Sequence, residues 1–284
     1  MKTRIVIDSA LNVPGYLLKR HDISVVPVSL SIDNVSYRED IDASRPELVR
    51  LIAGARQATT SQPAPGDFVQ VYEALAECDA VLSIHITGKL SGTLQTARIG
   101  ADMVDAAKIR TFDSENASMG GGWQALAAAQ ALADGMPVDE VVVLLEEVRK
   151  HMGTYLSLPT LTYLQRGGRV NLGKAIIANL LSVKPVFVFS EGLLSPISKA
   201  RSMSGANKEM VAQLKHRFQA EPLAIAVLHA EDPQLADQLM DLAKQELSVA
   251  HGLIEDLTAS LVVHGGPGTV AIAAIPYRYV HKVI

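Results

Sequence analysis

A repeated order in the first half of the chain limits its fold more than any other feature. A short apolar run of strand length ends in a hydroxyl or carboxylate loop, and a helical pattern follows. Arg4 to Ile7 ends at Asp8-Ser9, where Asp8 can cap the next turn. Ala80 to Ile86 leads to a helix starting near Ser91, with Leu94, Ala97, Ala101 and Val104 on one face. Lys108 to Phe112 ends at Asp113-Ser114 and precedes an alanine-rich helix that Gly135 stops near Asp134. Between these lie a helix over Asp67 to Cys78, with Phe68, Tyr72 and Leu75 on one face, and a further helix over Val138 to about Lys150 opened by Pro137. Ser44 to about Ala55 reads as a helix with Ser44 as cap and Glu47 completing a capping box. Ile23 to Ile32 reads as one half-exposed strand with an edge or bend at Pro27, followed by a polar loop over Tyr37 to Asp42. Strands alternating with helices predict a parallel sheet covered on both faces. In such sheets ligands bind beyond the carboxyl ends of the strands, so Asp8-Ser9, Ser91 and Asp113-Ser114 can converge on one crevice.

The second half reads differently. Leu161 to Gln165 is a short helical turn closed by Arg166-Gly167-Gly168-Arg169, and Leu172 to Leu181 a compact apolar helix. Val186–Phe189 and Leu193–Ser198 are strands around a Ser190-Glu191-Gly192 turn. Helices follow over Gly205 to Gln219 and Pro233 to Leu247, with a strand over Leu223 to His229 between them. Ser260–His264 and Val270–Ile275 read as strands flanking a glycine-rich loop. The expected class is α/β: a three-layer domain with a parallel sheet over residues 1–155, then an α+β domain with a mixed sheet over residues 156–284.

Composition narrows the function classes. Hydrophobic residues make up 48% of the 284 and charged residues 20%, which suits a large core. The net charge of −4 and an aromatic content of 5% argue against a nucleic-acid footprint. The single cysteine, Cys78, excludes an internal disulfide and any multi-cysteine metal site. The start of the chain lacks a signal-peptide core, and no apolar run reaches membrane-spanning length, so a cytoplasmic protein is expected.

Thr60, Ser61 and Ser91 stand before helices, where free N–H groups and the helix dipole suit an anion and hydroxyls add donors without charge. Capping is the plainer role for such residues, but two loops of this kind favour an anion site. His264 lies in His264-Gly265-Gly266-Pro267-Gly268, where glycine allows close backbone approach; a structural and a functional histidine both fit. Arg201 follows a strand and can fork onto an anion, or can be a surface charge. His85, inside an apolar strand, reads as a satisfied core residue. Gly168 to Ala175 nearly spells a phosphate-binding loop, but Ala175 stands where a Ser or Thr must hold Mg²⁺ and no buried strand precedes it, so no ATP site is expected there. Its basic residues can still dock a partner. No histidine pairing indicates a metal, and Ser91 lacks a nucleophile-elbow context.

At these residues the sequence resembles the DegV family of bacterial fatty-acid-binding proteins. The resemblance runs through Ile5-Val6-Ile7-Asp8-Ser9, Thr60-Ser61-Gln62-Pro63, Leu90-Ser91-Gly92-Thr93, Asp113-Ser114, Gln165-Arg166-Gly167-Gly168-Arg169, Lys199-Ala200-Arg201-Ser202 and the His264 loop. Thr87-Gly88 replaces the usual pair of serines and Ala64 a common serine, changes that bear on loop shape and acyl preference. The resemblance implies a long-chain fatty acid between two domains, its carboxylate held by Thr60 and Ser91 near Arg201 and His264, its tail in an apolar pocket of the second domain. It also implies a carrier without catalysis or cofactor, presenting the acid to a separate kinase that makes acyl-phosphate from ATP. The candidate ligand-binding set is Thr60, Ser61, Ser91, Gly92, Arg201, His264 and Gly265. The candidate docking set is Arg166, Arg169 and Lys174. The alternatives are a stand-alone acyl- or phosphoryl-transfer enzyme with Ser91 as nucleophile and His264 as base, or a binder of another small carboxylate or phosphate.

Overall fold

The computed structural model describes residues 2–105, 108–168 and 183–284. Four strands, β1 (Thr3–Asp8), β2 (Ser24–Val26), β6 (Ala80–His85) and β7 (Ile109–Asp113), form a parallel sheet in the order β2-β1-β6-β7. β1 shows why the layers form. Alternate residues face opposite ways, so Val6 packs with Phe68, Tyr72, Val81 and Ala97 on one side. Ile5 and Ile7 join Leu82, Ile84 and Trp123 on the other. Helices α3 (Pro65–Ala74) and α4 (Thr93–Asp102) cover the first face. Helices α5 (Ser118–Ala133) and α6 (Val138–Lys150) cover the second.

A six-stranded mixed sheet lies beyond α5. Its order is β10 (Leu193–Ala200), β9 (Lys184–Ser190), β8 (Gly153–Ser157), β13 (Val270–Pro276), β11 (Leu223–His229) and β12 (Val249–Asp256). Only β11 and β12 pair in parallel. Helices α8 (Met203–Phe218) and α9 (Pro233–Glu246) pack on its far face, around Met210, Leu214, Leu239 and Ile272. Every residue of α5 from Ser118 to Ala131 is buried, as expected of a helix with apolar and small residues all round. It is the layer the two sheets share: Trp123 Nε1 donates to the Ala273 carbonyl oxygen of β13 at 3.0 Å.

A small antiparallel sheet, β4 (Val35–Arg38), β3 (Ser29–Ile32) and β5 (Ala58–Ser61), completes the fold with α2 (Arg45–Gly54). Here the structure departs from the sequence reading. Pro27 splits the expected single strand into β2 and β3, which join different sheets. Thr60 and Ser61 belong to strand β5, not to a helix-leading loop. Ser44 occupies the cap position of α2 but its side chain makes no capping bond. The run Ser260–His264 is helical, within Ala259–Gly265, and not a strand. Its β-branched Val262 and Val263 are buried, so packing overrides their strand propensity. Strand β12, His251 and Gly252 included, had no counterpart in the reading. The short helix α7 (Thr162–Gly167) ends at Gly168, whose φ of +64° is the left-handed conformation that glycine tolerates. The expected helix Leu172–Leu181 lies outside the described residues.

Candidate functional site

A cavity open at one end lies between α5, the six-stranded sheet, α10 (Ala259–Gly265) and the carboxyl ends of the parallel strands. Its inner wall is mostly apolar and draws on both halves: Ala10, Val28, Ile86 and Ala117 from the first, Leu156, Leu158, Leu164 and Ala271 from the second. The pocket is therefore not confined to the second half, as the sequence reading had it. At the more accessible end stand Thr60, Ser61, Gln62, Ser91 and His264. Ser61 and Gln62 are exposed; Thr60, Ser91 and His264 are half-buried. The site thus has a polar mouth and an oily interior.

The mouth joins residues distant in sequence. The Thr60 hydroxyl on β5 lies 2.8 Å from His264 Nε2 at the end of α10. His264 Nδ1 packs against the Gly167 backbone, where a Cβ would collide with the ring. Gly265 lines the cavity beside it. The Ser91 hydroxyl lies 2.8 Å from Thr93 Oγ1 and accepts from the Thr93 N–H at 3.2 Å. Ser91 therefore lines the cavity and serves the start of α4 at once. His264 Nε2 is engaged by the Thr60 hydroxyl, while the Ser91 hydroxyl is engaged by Thr93, so the expected Ser91–His264 pairing is not the one seen.

Other expected residues fall elsewhere. Gly92 does not line the cavity; a Cβ there would come within 2.8 Å of Gln62, so its bareness lets Gln62 lie against the α4 entry. Arg201 is exposed just past β10 and outside the cavity wall. A bend follows β10 there and turns the chain into α8. Arg166 is exposed on α7, while Arg169 and Lys174 lie outside the described residues. The expected crevice of Asp8-Ser9, Ser91 and Asp113-Ser114 contributes only Ser91 to the wall. Asp8 is spent on structure: it accepts from the backbone of Ala10 and Ile86 and from His85 Nδ1 at 3.0 Å. His85 Nε2 lies 2.7 Å from the Ser83 hydroxyl, which in turn meets Tyr72. His85 is thus a satisfied core residue.

Glu39, in the stretch Tyr37 to Asp42 that the sequence marks as a polar loop, is only 1% exposed. It accepts from the Ser9 hydroxyl at 2.6 Å and from the backbone N–H and hydroxyl of Ser260, each at 2.8 Å. Burial pushes its carboxyl up to about 7, against the lowering pull of these hydrogen bonds. Ser260 lines the cavity, so this carboxyl fixes one of its walls from behind. Gln62, from the Thr60-Ser61-Gln62-Pro63 motif, and Ser118, Thr154 and Thr269 also line the cavity. Among the described residues no group of three or more His, Cys, Asp or Glu is placed to hold a metal, and no helix is long and apolar enough to cross a membrane.

Two sheets sharing one buried helix, beside a small antiparallel sheet and around a mostly apolar cavity with a hydroxyl–imidazole mouth, define the α/β class of this fold. The family described as "Uncharacterised protein, DegV family" matches residues 2–277, and the chain belongs to it. A DegV domain-containing protein of Caldanaerobacter subterraneus is 29% identical over 273 residues, covering 95% of this chain and 98% of that one. Among solved structures, a fatty-acid-binding DegV family protein from Thermus thermophilus superposes with a TM-score of 0.90 at 32% identity, over 97% of this chain and 100% of that one. DegV from Bacillus subtilis, described as a fatty acid binding protein, gives 0.87 at 29% identity, over 97% and 99%.

Proposed function

We propose that this protein binds a long-chain fatty acid, with the carboxylate at the mouth formed by Thr60, Ser91 and His264 and the acyl tail in the apolar interior. The observation that carries the reading is this cavity's split character: hydroxyls and an imidazole at the accessible end, mostly aliphatic side chains behind. Solved DegV relatives described as fatty-acid-binding support it. Burying the tail contributes about 0.8 kcal/mol per CH₂, so the chain supplies most of the affinity and the neutral donors orient the head. A carboxylate held by neutral donors keeps its charge and its nucleophilicity.

In this reading the protein is a carrier, and a separate ATP-dependent kinase takes the exposed head group to acyl-phosphate. The exposed Arg166 on α7 is proposed as part of the docking face, with Arg169 and Lys174 as its expected continuation. The exposed Arg201 is assigned to the phosphoryl-transfer side, with His264 at the mouth. The stand-alone enzyme reading with Ser91 as nucleophile and His264 as base is the less well supported one, since the Ser91 hydroxyl meets Thr93 and His264 Nε2 meets Thr60. Native mass spectrometry of the purified protein tests the binding claim: a co-purified C16 or C18 acid in one-to-one ratio is expected. Lipid-free protein whose melting temperature ignores added palmitate and oleate overturns it.

A further inference from the structure

Two hydroxyls deep in the cavity lack partners. Ser118 and Thr154 are 5% and 3% exposed, and both line the cavity wall. Neither side-chain oxygen makes a hydrogen bond. Ser118 is the first residue of α5 and has a φ of +51°, a strained conformation for serine. Thr154 sits against the same helix end: a Cβ at Gly120 would run into its hydroxyl. Both hydroxyls thus line the cavity near the amino end of a 16-residue helix, where the helix dipole is positive, and make that stretch of the wall a polar spot.

This spot is far from the mouth. Leu158 lies within 3.5 Å of where a Gly265 Cβ would stand, beside His264. Thr154 is four residues back along β8 and its extension, about 13 Å away at the rise of an extended strand. A saturated tail lying over the spot leaves both hydroxyls buried and unpaired, which is costly. An oxygen on the tail at that depth satisfies them.

We infer that the polar spot of Ser118 and Thr154 receives a mid-chain hydroxyl, so that the preferred ligand class is a long-chain hydroxy fatty acid. This rests on the fatty-acid reading and narrows it. The test is competition binding to the delipidated full chain, with stearate, oleate and stearates hydroxylated at successive mid-chain carbons. At least one hydroxystearate isomer is expected to bind about two- to ten-fold tighter than stearate, the range of one buried hydrogen bond. In Thr154→Val, which keeps the shape of the side chain, and in Ser118→Ala, stearate tightens, the hydroxy acid weakens and the order inverts. The wild-type ranking needs no variant to fold. Stearate or oleate binding tighter than every hydroxy isomer overturns the inference while leaving the fatty-acid reading intact. An unchanged ranking in both variants also overturns the inference. Binding of none of these acids overturns both.

Discussion

The Glu39 carboxyl ties β4 to the start of α10 through Ser260 and to the end of β1 through Ser9. Its folded-state value of about 7 stands above the ordinary 4.5. Between these two values the folded chain binds more protons than the unfolded one, so stability falls as pH rises. The contribution is fully present below the unfolded value, lost through the folded one, and amounts to a few kcal/mol. Glu39→Gln should flatten the urea midpoint across this window; a midpoint as pH-dependent as wild type contradicts the assignment. At the mouth, Thr60→Ala and Ser91→Ala should each cost about 0.5–3 kcal/mol of fatty-acid affinity, the span from neutral to charge-assisted bonds, read by calorimetric titration. Full retention of affinity in the double variant rules the contacts out. Thr60, Ser91 and His264 were legible because hydroxyls and glycines cluster around them in the sequence. Glu39 was not, because a carboxylate in a polar stretch signals nothing until Ser9 and Ser260 fold onto it from elsewhere.

Among the elements, α5 carries the largest constraint. Gly120, Gly121 and Gly122 let its first turn press against Asn116, Thr154, Leu11 and Val13. Gly120→Ala should therefore overpack the helix start and cost about 1–3 kcal/mol, seen as a lower denaturant midpoint; a neutral effect would show that the helix end can shift freely. Trp123 is fully buried, and its ring spans from α5 to β13. Trp123→Phe leaves the Ala273 carbonyl short of a donor and a void beside it, for about 2–4 kcal/mol, again read by denaturation. The parallel strands and their helices were readable from periodicity, because each apolar run has one length and one sequel. The amino-terminal strand pair across Pro27, strand β5 and the helical Ser260–His264 segment were not. Each is short, and each takes its conformation from the sheet or helix packed on it: Thr60 pairs with Leu30 across β3 and β5.

At the scale of the whole molecule, the two sheets meet through one helix and one cavity, and the cavity's mouth is assembled from residues some two hundred positions apart in the chain. That assembly explains why the sequence pointed to an anion site but could not show an interior. Leu156, Leu158 and Ala271 have the same signature whether they fill a core or line a chamber. Arg201, grouped with the mouth on sequence grounds, stands outside the wall. The carrier reading gives Arg201→Ala a defined outcome: fatty-acid binding close to wild type, with partner-dependent acyl-phosphate formation strongly reduced when both are assayed separately. Wild-type turnover removes Arg201 from the reaction.

The central claim is that one fatty acid binds per chain with its carboxylate at the mouth formed by Thr60, Ser91 and His264. Nuclear magnetic resonance of oleate labelled at its carboxyl carbon, titrated into delipidated protein, reads that atom directly. A single bound resonance that saturates at one equivalent and moves in both Thr60→Val and His264→Ala is the expected result. No bound resonance, or one that neither substitution moves, contradicts the account.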